Sequence, residues 1–111
     1  MRKRPRWRVM HIIEILLPLF DNAGARFGPE PFIQVREELI ERFGGLTAFT
    51  RAPAEGTWQP EPGARSRDDI VIFEVMADAL DRDWWRKYRG MLEVRFQQDA
   101  IIVRAREVEL L

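Results

Sequence analysis

Val9-Met10-His11-Ile12-Ile13-Glu14-Ile15-Leu16-Leu17 is the stretch on which the fold turns. It is short, rich in β-branched residues and apolar at both odd and even positions. A strand with that pattern has cover on both faces and sits inside a sheet. Pro18 ends it, and Asp21-Asn22-Ala23-Gly24 follows as a turn. A second stretch, Asp69-Ile70-Val71-Ile72-Phe73-Glu74-Val75-Met76, has the same character and reads as another central strand.

The segments between them read differently. Pro29-Glu30-Pro31 opens a helix, because proline is tolerated in a first turn and acids suit that end. Phe32, Val35, Leu39 and Phe43 follow at helical spacing, with Ile33 and Ile40 beside them, and Gly44-Gly45 is a stop. Leu46 to Ala52 reads as a strand, and Gln59-Pro60-Glu61-Pro62-Gly63 as a turn-rich loop. Asp81 is placed to cap a second helix, whose stripe is Trp85, Tyr88, Leu92 and Phe96, with Gly90 a weak point. Ala100 to Glu109 is the last strand.

The order is β-α-β-β-α-β, a ferredoxin-like α+β domain. Right-handed crossovers give a four-stranded antiparallel sheet of order 4-1-3-2 with both helices on one face. The two most apolar strands are then the two central ones. The expected organisation is a basic flexible arm over 1–8 and a single domain over 9–111.

Composition narrows the chemistry. The chain has 111 residues, of which 46% are apolar and 32% charged, values that suit one folded domain. Formal net charge is zero, so no global field draws in nucleic acid or an anionic membrane. There is no cysteine, which excludes disulfides, thiolate catalysis and cysteine metal sites. His11 is the single histidine, too few for a site built on two imidazoles. No metal or other cofactor is expected. No apolar run reaches the roughly 18–20 residues of a membrane span. Met1 to Arg8 holds five basic residues ahead of an apolar run, superficially a signal peptide. Glu14, His11 and Pro18 interrupt that run, and cleavage would delete a core strand. The alternative is that translation starts at Met10 and the arm is an extension.

Alternation divides each strand between two faces. Val9, His11, Ile13, Ile15, Val71, Phe73, Val75, Ile101, Val103 and Ala105 fall on the helix-covered face. Met10, Ile12, Glu14, Leu16, Ile70, Ile72, Glu74, Met76, Ile102, Arg104, Arg106, Phe49 and Arg51 fall on the other. That second face is too apolar to be left in water, and the simplest cover is a second copy of the chain, a face-to-face homodimer. Glu14 and Glu74 are each sixth in their strands. With strands one and three read as parallel neighbours, their side chains sit about 5 Å apart, the inter-strand spacing. Two carboxylates at that distance raise one another's pKa unless cations neutralise them, and Arg51, Arg104 and Arg106 share the face. One reading is a salt-bridge network that sets dimer register. The other is a small-molecule cleft in which Glu14 or Glu74 is a general base, Arg51, Arg104 and Arg106 hold an anionic ligand, and Trp58 is a lid or a rim contact.

The remaining candidates carry less. His11 falls on the helix-covered face as a core histidine, and only a β-bulge would bring it beside Glu14. Trp84 and Trp85 are adjacent and cannot both face inward. Asp68-Asp69 lacks the further oxygen ligands of a calcium loop. Ser66 has no histidine near it in sequence, and there is no glycine-rich phosphate loop. The RNA-recognition fold shares this topology, but it stacks bases on exposed aromatics of strands one and three. Here Phe73 points to the helix side. Nucleic acid is not expected as a partner, beyond nonspecific phosphate contacts by the basic arm.

Four segments carry a resemblance. They are His11 to Asn22, Glu41 to Phe49, Arg51 to Trp58 and Asp68 to Met76, together with the Trp84-Trp85 helix. On them the chain resembles a family of short, uncharacterised bacterial proteins, with the basic arm outside the match. The resemblance implies a bacterial cytoplasmic protein and no chemistry. At fold level the chain also looks like the dimeric α+β barrels, which include small-molecule isomerases, cofactor-independent monooxygenases and haem-handling enzymes. The histidine those enzymes often place in the sheet-face cleft has no motif-level match here.

Overall fold

The structure is a computed structural model that describes residues 8–51 and 70–111. Six elements follow in order: β1 (Arg8–Pro18), α1 (Glu30–Phe43), β2 (Thr47–Arg51), β3 (Ile70–Ala77), α2 (Arg82–Arg95) and β4 (Ile102–Leu110). The sheet order is β2-β3-β1-β4, the expected ferredoxin-like arrangement, with the two apolar strands in the middle. Arg8, assigned above to the arm, pairs opposite Leu110 as the first residue of β1, and its guanidinium meets Asp78.

One expectation is overturned. β1 and β3 are antiparallel neighbours, not parallel ones, with Ile13 opposite Val75 and Ile15 opposite Phe73. Topology requires it. Each strand–helix–strand crossover returns the chain in its starting direction, so β2 runs with β1. β3 pairs antiparallel with β2 and therefore runs against β1.

The core lies between the sheet and both helices. Ile13, Ile15 and Leu17 of β1, Phe73 and Val75 of β3 and Ile101 beside β4 meet Val35 and Leu39 of α1 and Trp85, Tyr88, Leu92 and Phe96 of the α2 region. Fully burying each such aliphatic side chain contributes about 1.5–3 kcal/mol. Ile33 and Ile40 stay at the surface, since the Val35 and Leu39 stripe is the one that α1 turns inward.

Local chemistry sets the helix limits. Gly44 closes α1 at φ 78°, a left-handed conformation that glycine adopts without Cβ strain. Asp81 caps α2, its carboxylate accepting from the Trp84 N–H at 3.1 Å. In the loop after β1, the Asp21 carboxylate accepts from the Ala23 and Ala25 N–H groups at 2.9 and 2.8 Å. Phe27 then packs edge-on against Phe96 at 5.4 Å, which ties this loop to the end of α2.

Two contacts lock the helices together. Phe43 stacks on Trp85 at 5.3 Å, and Arg42 lies over the Trp84 ring at 4.0 Å. Trp84 thus gets its cover from the chain itself, stacked on Tyr88 with the Arg42 guanidinium across it. The second contact is a polar clamp. Arg95 donates two bonds to the Glu38 carboxylate, at 2.7 and 2.9 Å, and the Tyr88 hydroxyl donates a third at 2.9 Å. The bidentate Arg95 bond holds the Glu38 carboxyl below its ordinary range against the opposing effect of burial, with the Tyr88 bond helping. Burial, then the bond to Glu38, pushes the Tyr88 phenol up.

Two outcomes follow. Gly90 lies inside α2, and a Cβ there meets nothing within 4 Å. Gly90→Ala is expected to raise the unfolding free energy by about 1 kcal/mol in urea denaturation. The clamp gives stability a dependence on pH at both ends. Glu38, with its folded pKa lowered, stabilises above the ordinary carboxylate range, and that contribution is lost as pH falls through its folded value. Tyr88, with its folded pKa raised, contributes stability that is fully present below the ordinary phenol value of about 10 and is lost as pH rises from there through its folded value. It is the single tyrosine in the chain, so phenolate absorbance reads it alone. That absorbance is expected to appear with alkaline unfolding, and Glu38→Gln to flatten the acid limb of the stability curve.

Candidate functional site

The sheet face opposite the helices carries the polar constellation, and the strand register fixes its layout. Thr47 of β2, Glu74 of β3, Glu14 of β1 and Arg104 of β4 stand in one row across all four strands. On one side of it, Met76, Ile12 and Arg106 form the next row. On the other side, Phe49, Ile72, Leu16 and Ile102 form a wholly apolar row. A polar row thus crosses a largely apolar surface.

Within that row the two carboxylates differ. Glu14 accepts from the Arg104 Nε at 3.0 Å, and its side chain is 16% exposed against 53% for Arg104. Glu74, directly opposite Glu14, makes no hydrogen bond or ion pair among the described residues, nor does Arg106. Arg104 therefore neutralises Glu14 alone, although the register brings both acids together. Directly opposed like charges cost roughly 0.2–1 kcal/mol on a sheet.

The face is less open than alternation alone suggests. Met10, Ile12 and Ile72 are buried, whereas Phe49, Met76 and Ile102 are 40–56% exposed. Ile12 and Ile72 each have large side chains opposite them on both neighbouring strands. The accessible apolar surface lies mainly towards the perimeter.

The other candidates separate from this site. His11 stays on the helix side, because the β1–β3 register runs unbroken from His11 to Pro18 with no bulge. Its Nε2 is 3.7 Å from the Glu107 carboxylate, and its Nδ1 is buried without a hydrogen-bond partner among the described residues. The side chain of Arg51, together with Trp58, Ser66, Asp68 and Asp69, lies outside the described residues. No group of three His, Cys, Asp or Glu side chains among the described residues is arranged to hold a metal. No helix among them is long and apolar enough to cross a membrane.

Sequence reasoning missed the Glu38–Tyr88–Arg95 clamp. Tyr88 and Arg95 share one side of α2, a signal that was available, but their partner on α1 depends on how the two helices cross.

No family model, curated protein or solved structure matches this chain. The ground for a function is then the chemistry of the sheet face itself.

Glu74→Gln, which removes one of two opposed charges, is expected to raise stability at neutral pH by roughly 0.2–1 kcal/mol. Arg104→Met strips the counterion from a mostly buried carboxylate and is expected to lower it by about 1 kcal/mol. Urea denaturation of the two variants measures both.

Proposed function

We propose that this protein works as a homodimer closed through the sheet face opposite its helices, and that the interface forms a pocket for a small ligand. The observation that carries the reading is the distribution of charge across the face. Glu74 lies on β3, the paired Glu14 on central β1, and Arg104 and Arg106 on β4. Among the described side chains, the β3 side of the face carries the acid Glu74 and the β4 edge carries the two arginines. A two-fold axis parallel to the strands and lying above β1, between the two sheets, sets the β3 side of one copy against the β4 side of the next. Opposite charges then meet, and such self-complementarity is what an isologous interface needs. The exposed Phe49, Met76 and Ile102 supply apolar contact around the charges.

In that pocket Glu74 and Arg106, whose side chains have no partner among the described residues, are the groups available to bind a ligand or each other across the interface. A second reading, a cofactor-independent enzyme with a carboxylate base, is favoured by one observation: the Glu74 carboxylate has no partner among the described residues. The base would then be Glu74, with Glu14 occupied by its bond to Arg104, and Arg104 and Arg106 as anion anchors. A cytoplasmic setting rests on the family resemblance alone.

Charge exchange tests the dimer. Light scattering at micromolar concentration is expected to give twice the 13.1 kDa of one chain. Glu74→Arg is expected to give monomer, and Glu74→Arg combined with Arg106→Glu to restore the dimer. A monomeric parent protein, or a double variant no better than the single one, contradicts the reading.

A further inference from the structure

On the other side of the sheet, α2 leaves part of β4 uncovered. A cleft of about 250 Å³ opens there, a little below the roughly 300–1,000 Å³ of drug-sized ligand sites and so suited to a smaller molecule. Its apolar lining comes from Ile13, Leu80, Trp85 and Val103, with Ala105 at the exposed edge. Along α2 stand Arg82, Arg86 and Arg89, spaced four and three residues apart and so on one side of the helix. Arg104, already engaged by Glu14, borders it, and no carboxylate among the described residues lines it.

The three α2 arginines are weakly committed. Arg82 makes no ion pair among the described residues. Arg86 meets Asp83 at 3.4 Å and Arg89 meets Glu93 at 3.9 Å, and Arg86 and Asp83 are both well exposed. Exposed pairs of this kind are worth little, so an incoming anion displaces them at small cost. Guanidinium groups offer paired donors that match carboxylate and phosphate oxygens. An apolar pocket below such donors selects an anion that carries an apolar body.

We propose that this cleft binds a small organic anion, with a carboxylate or phosphate head on the arginines and a ring or short chain against Trp85 and Val103. The site is separate from the sheet-face pocket and does not depend on it.

Chemical-shift mapping on the isotope-labelled full chain tests the proposal. The probes are benzoate, phenyl phosphate, benzyl alcohol and inorganic phosphate at millimolar concentration. Benzoate or phenyl phosphate is expected to shift the amides of Trp85, Val103 and Ala105, and whichever responds names the head group. Benzyl alcohol and inorganic phosphate are expected to bind at least about tenfold more weakly, lacking head or body. Arg86→Ala with Arg89→Ala is expected to abolish the shifts. So is Ala105→Trp, which fills the cleft from an exposed position, while the amides of α1 show that each variant is folded. No shift with either organic anion, shifts confined to residues outside the cleft, equal binding of benzyl alcohol or inorganic phosphate, or shifts that survive both sets of variants each overturn the proposal.

Discussion

The structure depends on β1 being enclosed. It is hydrogen-bonded to β3 on one edge and β4 on the other, and it is apolar towards both faces of the sheet. Its odd residues, Ile13, Ile15 and Leu17, lie under the helices. Its even residues have no helix over them among the described residues, yet Met10 and Ile12 are buried. A strand of this composition at the middle of a sheet forces one core on the helix side and asks for cover on the other. The helix pair serves the first demand, locked by the Phe43–Trp85 stack and the Glu38 clamp. The second demand is the reason to look for function on the opposite face.

Much of this is legible in the residues. The apolar runs of β1 and β3, the Val35 and Leu39 stripe, the Asp81 cap and the Gly44 stop are local signals, and each falls where the structure has it. Parity was enough to put Glu14 and Glu74 on one face, but their equal positions argue a shared row only for parallel strands; in the antiparallel pair it is the register that sets them opposite one another. Strand direction was not legible. Alternation reports which face a residue takes and says nothing of which way its neighbour runs. The antiparallel β1–β3 pair emerges only when the directions of both crossovers and the β2–β3 pairing are followed together. The Glu38–Arg95 bond and the α2 cleft were hidden for a related reason. They join residues far apart in sequence whose meeting is set by how α2 lies over the sheet.

The candidate site illustrates how register turns composition into chemistry. Three charged groups among apolar residues mean little in a sequence. In one row, Arg104 reaches the Glu14 carboxylate at 3.0 Å and leaves Glu74 with neither cation nor donor among the described residues. A surplus acid on β3 and a surplus arginine, Arg106, on β4 give the face a direction. That asymmetry, among the described side chains, is what the proposed dimer rests on, because opposite charges at the two sides would orient one copy against another.

Solvent access to the perimeter of that face measures the central claim most directly. In one chain Met76 and Ile102 are 40% and 56% exposed, and Val94, on the outer surface of α2, is 78% exposed. A soluble gadolinium chelate broadens side-chain methyl signals according to their contact with solvent. With the sheet face closed by a second copy, the Met76 and Ile102 methyls become protected as protein concentration rises, while Val94 stays sensitive. Met76 and Ile102 signals that keep their single-chain sensitivity at every concentration would contradict it.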